Sequence, residues 1–306
     1  MATSPAPAAT GRDLSLGALA ITVVLWASAF VGIRAITDTF DPGPMALGRL
    51  LVGAVALTVL VRPWRFSLPR GRTLGLVVVY GVVWFGAYNV VLNAGETYLD
   101  AGTAALVVNV GPILIALFAG WLLKEGFPKP LLAGMAVAFA GVALIAVSTR
   151  SGDGVETASA AGVLLCLAAA VLYAIGALTQ KPTLATVSPG MSVWMACSIG
   201  AVVCLPYGPD LVSELGDAGT TDVLWLVYLG VFPTAIGFTT WAYAMKRLSA
   251  GQVASTTYLV PVVATGISWV LLGEVPAALA FAGGALCLVG VGITRWRPRR
   301  TVPTPA

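Results

Sequence analysis

One stretch of this chain is written twice, 149 residues apart, and both copies are apolar enough to cross a bilayer. Residues 101–125 read AGTAALVVNVGPILIALFAGWLLKE, and residues 250–274 read AGQVASTTYLVPVVATGISWVLLGE. Ala101 and Gly102 match Ala250 and Gly251, Pro112 matches Pro261, Leu122 and Leu123 match Leu271 and Leu272, and Glu125 matches Glu274. The agreement is ungapped and continues: Gly134, Ala138 and Gly141 correspond to Gly283, Cys287 and Gly290. Small residues at spacings of four and three give a helix a flat face that suits close packing in a membrane. The offset is close to half of 306 residues, so the repeat predicts two copies of one membrane unit.

Composition agrees. The chain is 58% hydrophobic and only 10% charged, against about 25% charged in ordinary soluble domains. Its apolar runs reach the roughly 20 residues a helix needs to cross hydrocarbon. Ten spans are predicted: 14–36, 43–61, 74–96, 102–123, 130–148, 158–180, 188–206, 222–246, 251–272 and 276–295. The fold class is therefore an all-α membrane protein. A first five-helix unit occupies 14–148 and a second 158–295, between a polar tail at 1–13, read as disordered, and a basic tail at 296–306. The connections are short except 207–221, which is too polar to be a span. The first apolar run is long and lacks a cleavage site, so it reads as an uncleaved span.

Charge sets the expected orientation. Fourteen of the 17 basic residues fall on alternate connections or at the termini, including Arg62, Arg65, Arg70 and Arg72, Lys246 and Arg247, and Arg295 to Arg300. The other face carries Asp38, Asp41, Asp153, Glu156, Asp210, Glu214, Asp217 and Asp222. By the positive-inside rule both termini are cytoplasmic. Five spans per half is an odd number, so the second copy crosses in the opposite sense and the halves form an inverted repeat. Many secondary transporters are built this way.

The chain contains no histidine. That removes Ser-His-Asp and Cys-His catalysis and every His-ligated metal site. Cys166, Cys197, Cys204 and Cys287 sit in apolar segments without a Cys-x-x-Cys pair and read as small buried hydrophobes. No metal, cofactor or enzyme activity is expected.

The segments WASAFVGIRA at 26–35 and PMALGRLL at 44–51, with the two Pro…Glu helices, resemble the EamA-type branch of the drug/metabolite transporter superfamily. The resemblance covers about 14–295. It implies ten helices in two inverted units, a bacterial inner-membrane location, and export of amino acids or related metabolites. Arg49 is not duplicated, because Ser198 stands at the matching position.

A transport cavity needs polar groups near the midplane, where such groups are costly unless paired. On the third span, Asn89, Asn93 and Glu96 share one helical face, and Tyr80, Trp84 and Tyr88 form an aromatic row beside it. The asparagines either line a cavity or bond neighbouring helices. Further candidates are Trp26 and Phe30 on the first span, Asn109 on the fourth, and Tyr173 and Gln180 on the sixth. Thr234, Phe238 and Trp241 share a face of the eighth, and Thr257 and Tyr258 precede Pro261 on the ninth. Arg49 could meet a substrate carboxylate or pair with Glu96. Pro112 and Pro261 free the carbonyls of Val108 and Thr257 and are expected to kink their helices, as static bends or as paired pivots.

The expected function is a secondary-active or facilitative carrier working by alternating access. Its partners would be a small amphipathic substrate and membrane lipids; the carrier either exchanges protons, with Glu96 as the candidate carrier, or works without a coupling ion. The aromatic content points to bulky apolar or aromatic amino acids. Drugs, nucleosides or lipid-linked compounds are the alternative cargo.

Overall fold

The computed structural model describes residues 9–122, 156–248, 250–273 and 278–294, with separate helical positions between 133 and 144. Every regular element among them is a helix. The helices are α1 (Ala9–Ala35), α2 (Pro42–Val61), α3 (Gly71–Glu96), α4 (Ala101–Val108), α5 (Gly111–Leu122) and α6 (Glu156–Thr183). They continue with α7 (Pro189–Cys204), α8 (Gly208–Asp217), α9 (Thr220–Arg247), α10 (Ala250–Thr256), α11 (Val260–Leu272) and α12 (Ala278–Thr294). Their starts are written locally. Asp100 accepts the Thr103 amide at 2.9 Å to open α4, and Ser188 accepts the Met191 amide at 3.3 Å to open α7. Such side-chain oxygens satisfy first-turn donors that lack an intrahelical partner. Gly273, at φ 69°, closes α11 in the left-handed conformation.

Among the described residues, large apolar side chains face outward, and the strongly polar ones on the spans are buried in an otherwise apolar core. Val59, Leu164, Leu224 and Val270 are 63–75% exposed, whereas Arg49, Asn89, Asn93, Glu96 and Gln180 are at most 3% exposed. A bilayer as solvent demands this distribution. Among the described residues, six helices are long and apolar enough to cross a membrane.

Two long helices each carry a π turn, in α3 at Gly81–Ala87 and in α9 at Gly230–Gly237. The turns begin 149 residues apart, so the repeat seen in sequence recurs in backbone conformation. Each turn is packed by a helix from the other half. A Cβ at Gly200 of α7 would sit 2.7 Å from Phe85 Cβ, and one at Gly230 would sit 2.7 Å from the Arg49 carbonyl oxygen of α2. Only glycine permits these approaches.

Some expectations need correction. The fourth and ninth spans are not single kinked helices. A turn at Asn109 and Val110 separates α4 from α5, and a 3-10 turn at Thr257–Leu259 separates α10 from α11. Pro112 and Pro261 therefore lie in first turns, where a missing N–H has no partner to lose. The polar connection 207–221 is largely helical: α8 follows a 3-10 turn at Leu205–Tyr207, and Glu214 accepts the Asp41 amide at 3.2 Å. Lys181 caps the end of α9, donating to the carbonyls of Met245 and Leu248. Residues 9–13, read as part of the disordered tail, instead form the first turns of α1, because the apolar helix that follows extends back through them. The rest of that tail, the basic tail, most of the predicted fifth span, Glu125 and Glu274 lie outside the described residues.

Candidate functional site

The helices converge on one central cavity. Its walls come from both halves: Trp26, Ala29 and Phe30 of α1, Arg49 of α2, Trp84, Tyr88 and Leu92 of α3, and Ala105, Val108 and Asn109 at the first break. Tyr173 of α6, Phe238 of α9 and Thr257 and Val260 at the second break complete them. The free volume between these walls that a water-sized sphere can enter is about 50 Å³. That is room for a few waters, since each needs roughly 10–15 Å³ on this measure.

One end of the cavity is closed by aromatic rings. Trp26 lies 4.8 Å from Trp241 and 5.1 Å from Phe238, centroid to centroid, and Trp84 lies 5.1 Å from Phe238 and 5.4 Å from Tyr173. All these pairs are tilted or edge-on, the favoured aromatic geometries. Gly176 of α6 lets the Trp84 ring lie flat on the helix backbone: a Cβ there would be 2.5 Å from Trp84 Cγ. Among the described residues, the indole N–H groups of Trp26 and Trp241 have no hydrogen-bond partner.

The polar wall is Arg49. Its Nε and Nη2 donate to Thr234 Oγ1 at 3.2 and 3.1 Å. Thr234 passes a hydrogen bond to the Leu229 carbonyl at 2.8 Å, inside the π turn of α9. Arg49 also lies in the field of Glu96, which is fully buried at the end of α3.

Nine of the predicted site residues line this cavity: Trp26, Phe30, Arg49, Trp84, Tyr88, Asn109, Tyr173, Phe238 and Thr257. The others lie elsewhere. Asn89 donates to the Phe85 carbonyl at 2.6 Å and holds the π turn, and Asn93 donates to the Pro42 carbonyl at 3.0 Å. Tyr80 bonds the Ser192 carbonyl at 2.6 Å. Trp241 packs behind Trp26, Gln180 is fully buried off the cavity, and Tyr258 is half-buried beside it. Ala29, Leu92, Ala105, Val108 and Val260 were missed because apolar residues carry no polar signal. Helical spacing from Tyr88, Asn109 and Thr257 was the cue available for three of them, Leu92, Ala105 and Val260.

The EamA-like transporter family matches this chain twice, over residues 14–147 and again over 160–296. The chain belongs to that family. Among its relatives is a probable terminal-alkyne amino-acid exporter of Streptantibioticus cattleyicolor, 40% identical over 94% of this chain and 96% of that one. A probable amino-acid metabolite efflux pump of Salmonella typhimurium is 29% identical over 92% of this chain and 95% of the other. A solved crystal structure, 21% identical, shares the fold with a TM-score of 0.64 over 93% of this chain and 98% of its own. The two EamA matches divide at the same point as the sequence repeat. The two π turns fall one in each match.

Proposed function

We propose that this EamA-family chain exports a small amino acid or a closely related metabolite through the bacterial inner membrane, by alternating access of two inverted five-helix units. The observation that carries the reading is a cavity built jointly by residues of both EamA matches, with an aromatic floor and one cationic wall. The breaks at Asn109–Val110 and Thr257–Leu259 border it on two sides and serve as the paired pivots. Both termini are cytoplasmic in this proposal, following the basic residues at alternate connections. The narrow free space favours a slender, unbranched apolar side chain over the bulky one suggested by the aromatic content. The name of the Streptantibioticus relative, an exporter of terminal-alkyne amino acids, supports the same choice.

Counterflow in liposomes containing the purified chain tests this. Vesicles preloaded with unlabelled norvaline should accumulate labelled norvaline, whereas preloading with nucleosides or sugars should have no effect. Accumulation driven by nucleosides or sugars and by no amino acid would sink the proposal.

A further inference from the structure

We propose that the Nη1 group of Arg49 is the carboxylate anchor of the cavity, and that the same guanidinium links occupancy of the anchor to the π turn of α9. The proposal rests on the amino-acid reading above. Arg49 is 3% exposed and forms part of the cavity wall. Its donors are unevenly used: Nε and Nη2 both go to Thr234 Oγ1, while Nη1 is buried without a hydrogen-bond partner among the described residues. A guanidinium stays charged and has only donors to offer. A buried unsatisfied N–H on such a group is costly, and a carboxylate is the ligand whose geometry matches it.

Glu96 refines the ligand class. It is buried near enough to interact with Arg49 and with Tyr88, a cavity residue, so that when ionised it sets a negative charge behind that wall. A simple anion gains from Arg49 and loses to Glu96. A zwitterion gains from both, with its carboxylate toward Arg49 and its ammonium toward the negative field.

The linkage runs through Thr234. Its hydroxyl accepts both Arg49 bonds and donates to the Leu229 carbonyl, five residues back and at the start of the π turn. A π turn differs from an α-helix in which carbonyl each backbone N–H takes. A carboxylate that draws the guanidinium toward the cavity withdraws the donors from Thr234 and alters the balance between the two registers. The contact of Gly230 with the Arg49 backbone prevents α2 and α9 from absorbing that shift separately.

Competition in norvaline counterflow, using the full chain in liposomes, tests this. The competitors are norvaline, its primary amide and the deaminated acid. Wild-type protein should prefer norvaline over either analogue by about tenfold or more, the loss expected of one hydrogen bond to a charged group. Arg49→Gln should reduce norvaline affinity by a similar factor, leave the amide unchanged and bring their ratio close to one. Thr234→Val should keep the acid preference and slow exchange. An unchanged acid-to-amide ratio in Arg49→Gln overturns the anchor, and an unchanged exchange rate in Thr234→Val overturns the linkage. Should Arg49→Gln fail to fold, Arg49→Lys carries the test: norvaline affinity falls and amide affinity holds, and equal falls in both overturn the anchor. Wild-type exchange of no amino acid overturns the amino-acid reading as a whole. Wild-type exchange with acid and amide equal overturns the anchor alone.

Discussion

Gly176→Ala is the most informative single change outside the polar wall. The new Cβ would lie 2.5 Å from both Cβ and Cγ of Trp84 and 2.7 Å from its Cδ2. Ordinary carbon contacts are about 3.5–4.0 Å, so the ring must retreat by about 1 Å. It cannot swing away with its backbone, because Asn89 holds the Trp84 and Phe85 carbonyls at 3.4 and 2.6 Å. Behind the ring stands α6; ahead of it lies the cavity. An aromatic side chain buries about 150–250 Å², so a 1 Å advance of one face sweeps on the order of 50 Å³. That is comparable with the cavity's whole free volume of about 50 Å³. Overpacking of this kind costs about 1–3 kcal/mol, small enough for the bundle to survive. Norvaline counterflow should therefore fall by about tenfold or more while the protein stays monodisperse in detergent. Adding Trp84→Phe, which removes ring volume, should restore much of the activity. Gly75→Ala is the control, since nothing lies within 4 Å of a Cβ there. Wild-type rate and KM in Gly176→Ala would refute the argument that Trp84 limits the cavity.

Three further changes separate site from scaffold. Asn93→Leu removes the interhelical hydrogen bond to the Pro42 carbonyl and should cost about 1 kcal/mol, read as a lower melting temperature, with KM for norvaline unchanged. Pro112→Ala and Pro261→Ala should each change stability by less than about 1 kcal/mol and leave transport measurable, because both prolines sit in first turns; loss of transport in both would return the pivoting role to the prolines themselves. Glu96→Gln should flatten the pH dependence of exchange if Glu96 carries a coupling proton, and an unchanged profile removes it from that role.

The third span shows what helical spacing could and could not reveal. Tyr80, Trp84 and Tyr88 form one row at the ordinary helical period, and Asn89 and Asn93 form another. The π turn at Gly81–Ala87 breaks that period, because each π turn holds more residues than an α turn. Tyr80, before the turn, goes to Ser192, while Trp84 and Tyr88 remain in the cavity. Asn89 is spent on the carbonyls that the turn exposes. Arg49 was visible as an intramembrane cation, but its partner Thr234 lies 185 residues away and on the other half. No local pattern connects them.

The sequence by itself determined the membrane class and the doubling, because hydropathy is read one helix at a time and the repeat is ungapped. The tertiary structure decided which of the polar and aromatic side chains share a cavity. That choice follows from two π turns and a few glycine contacts between helices far apart in the chain, and it exists only once both halves have packed together.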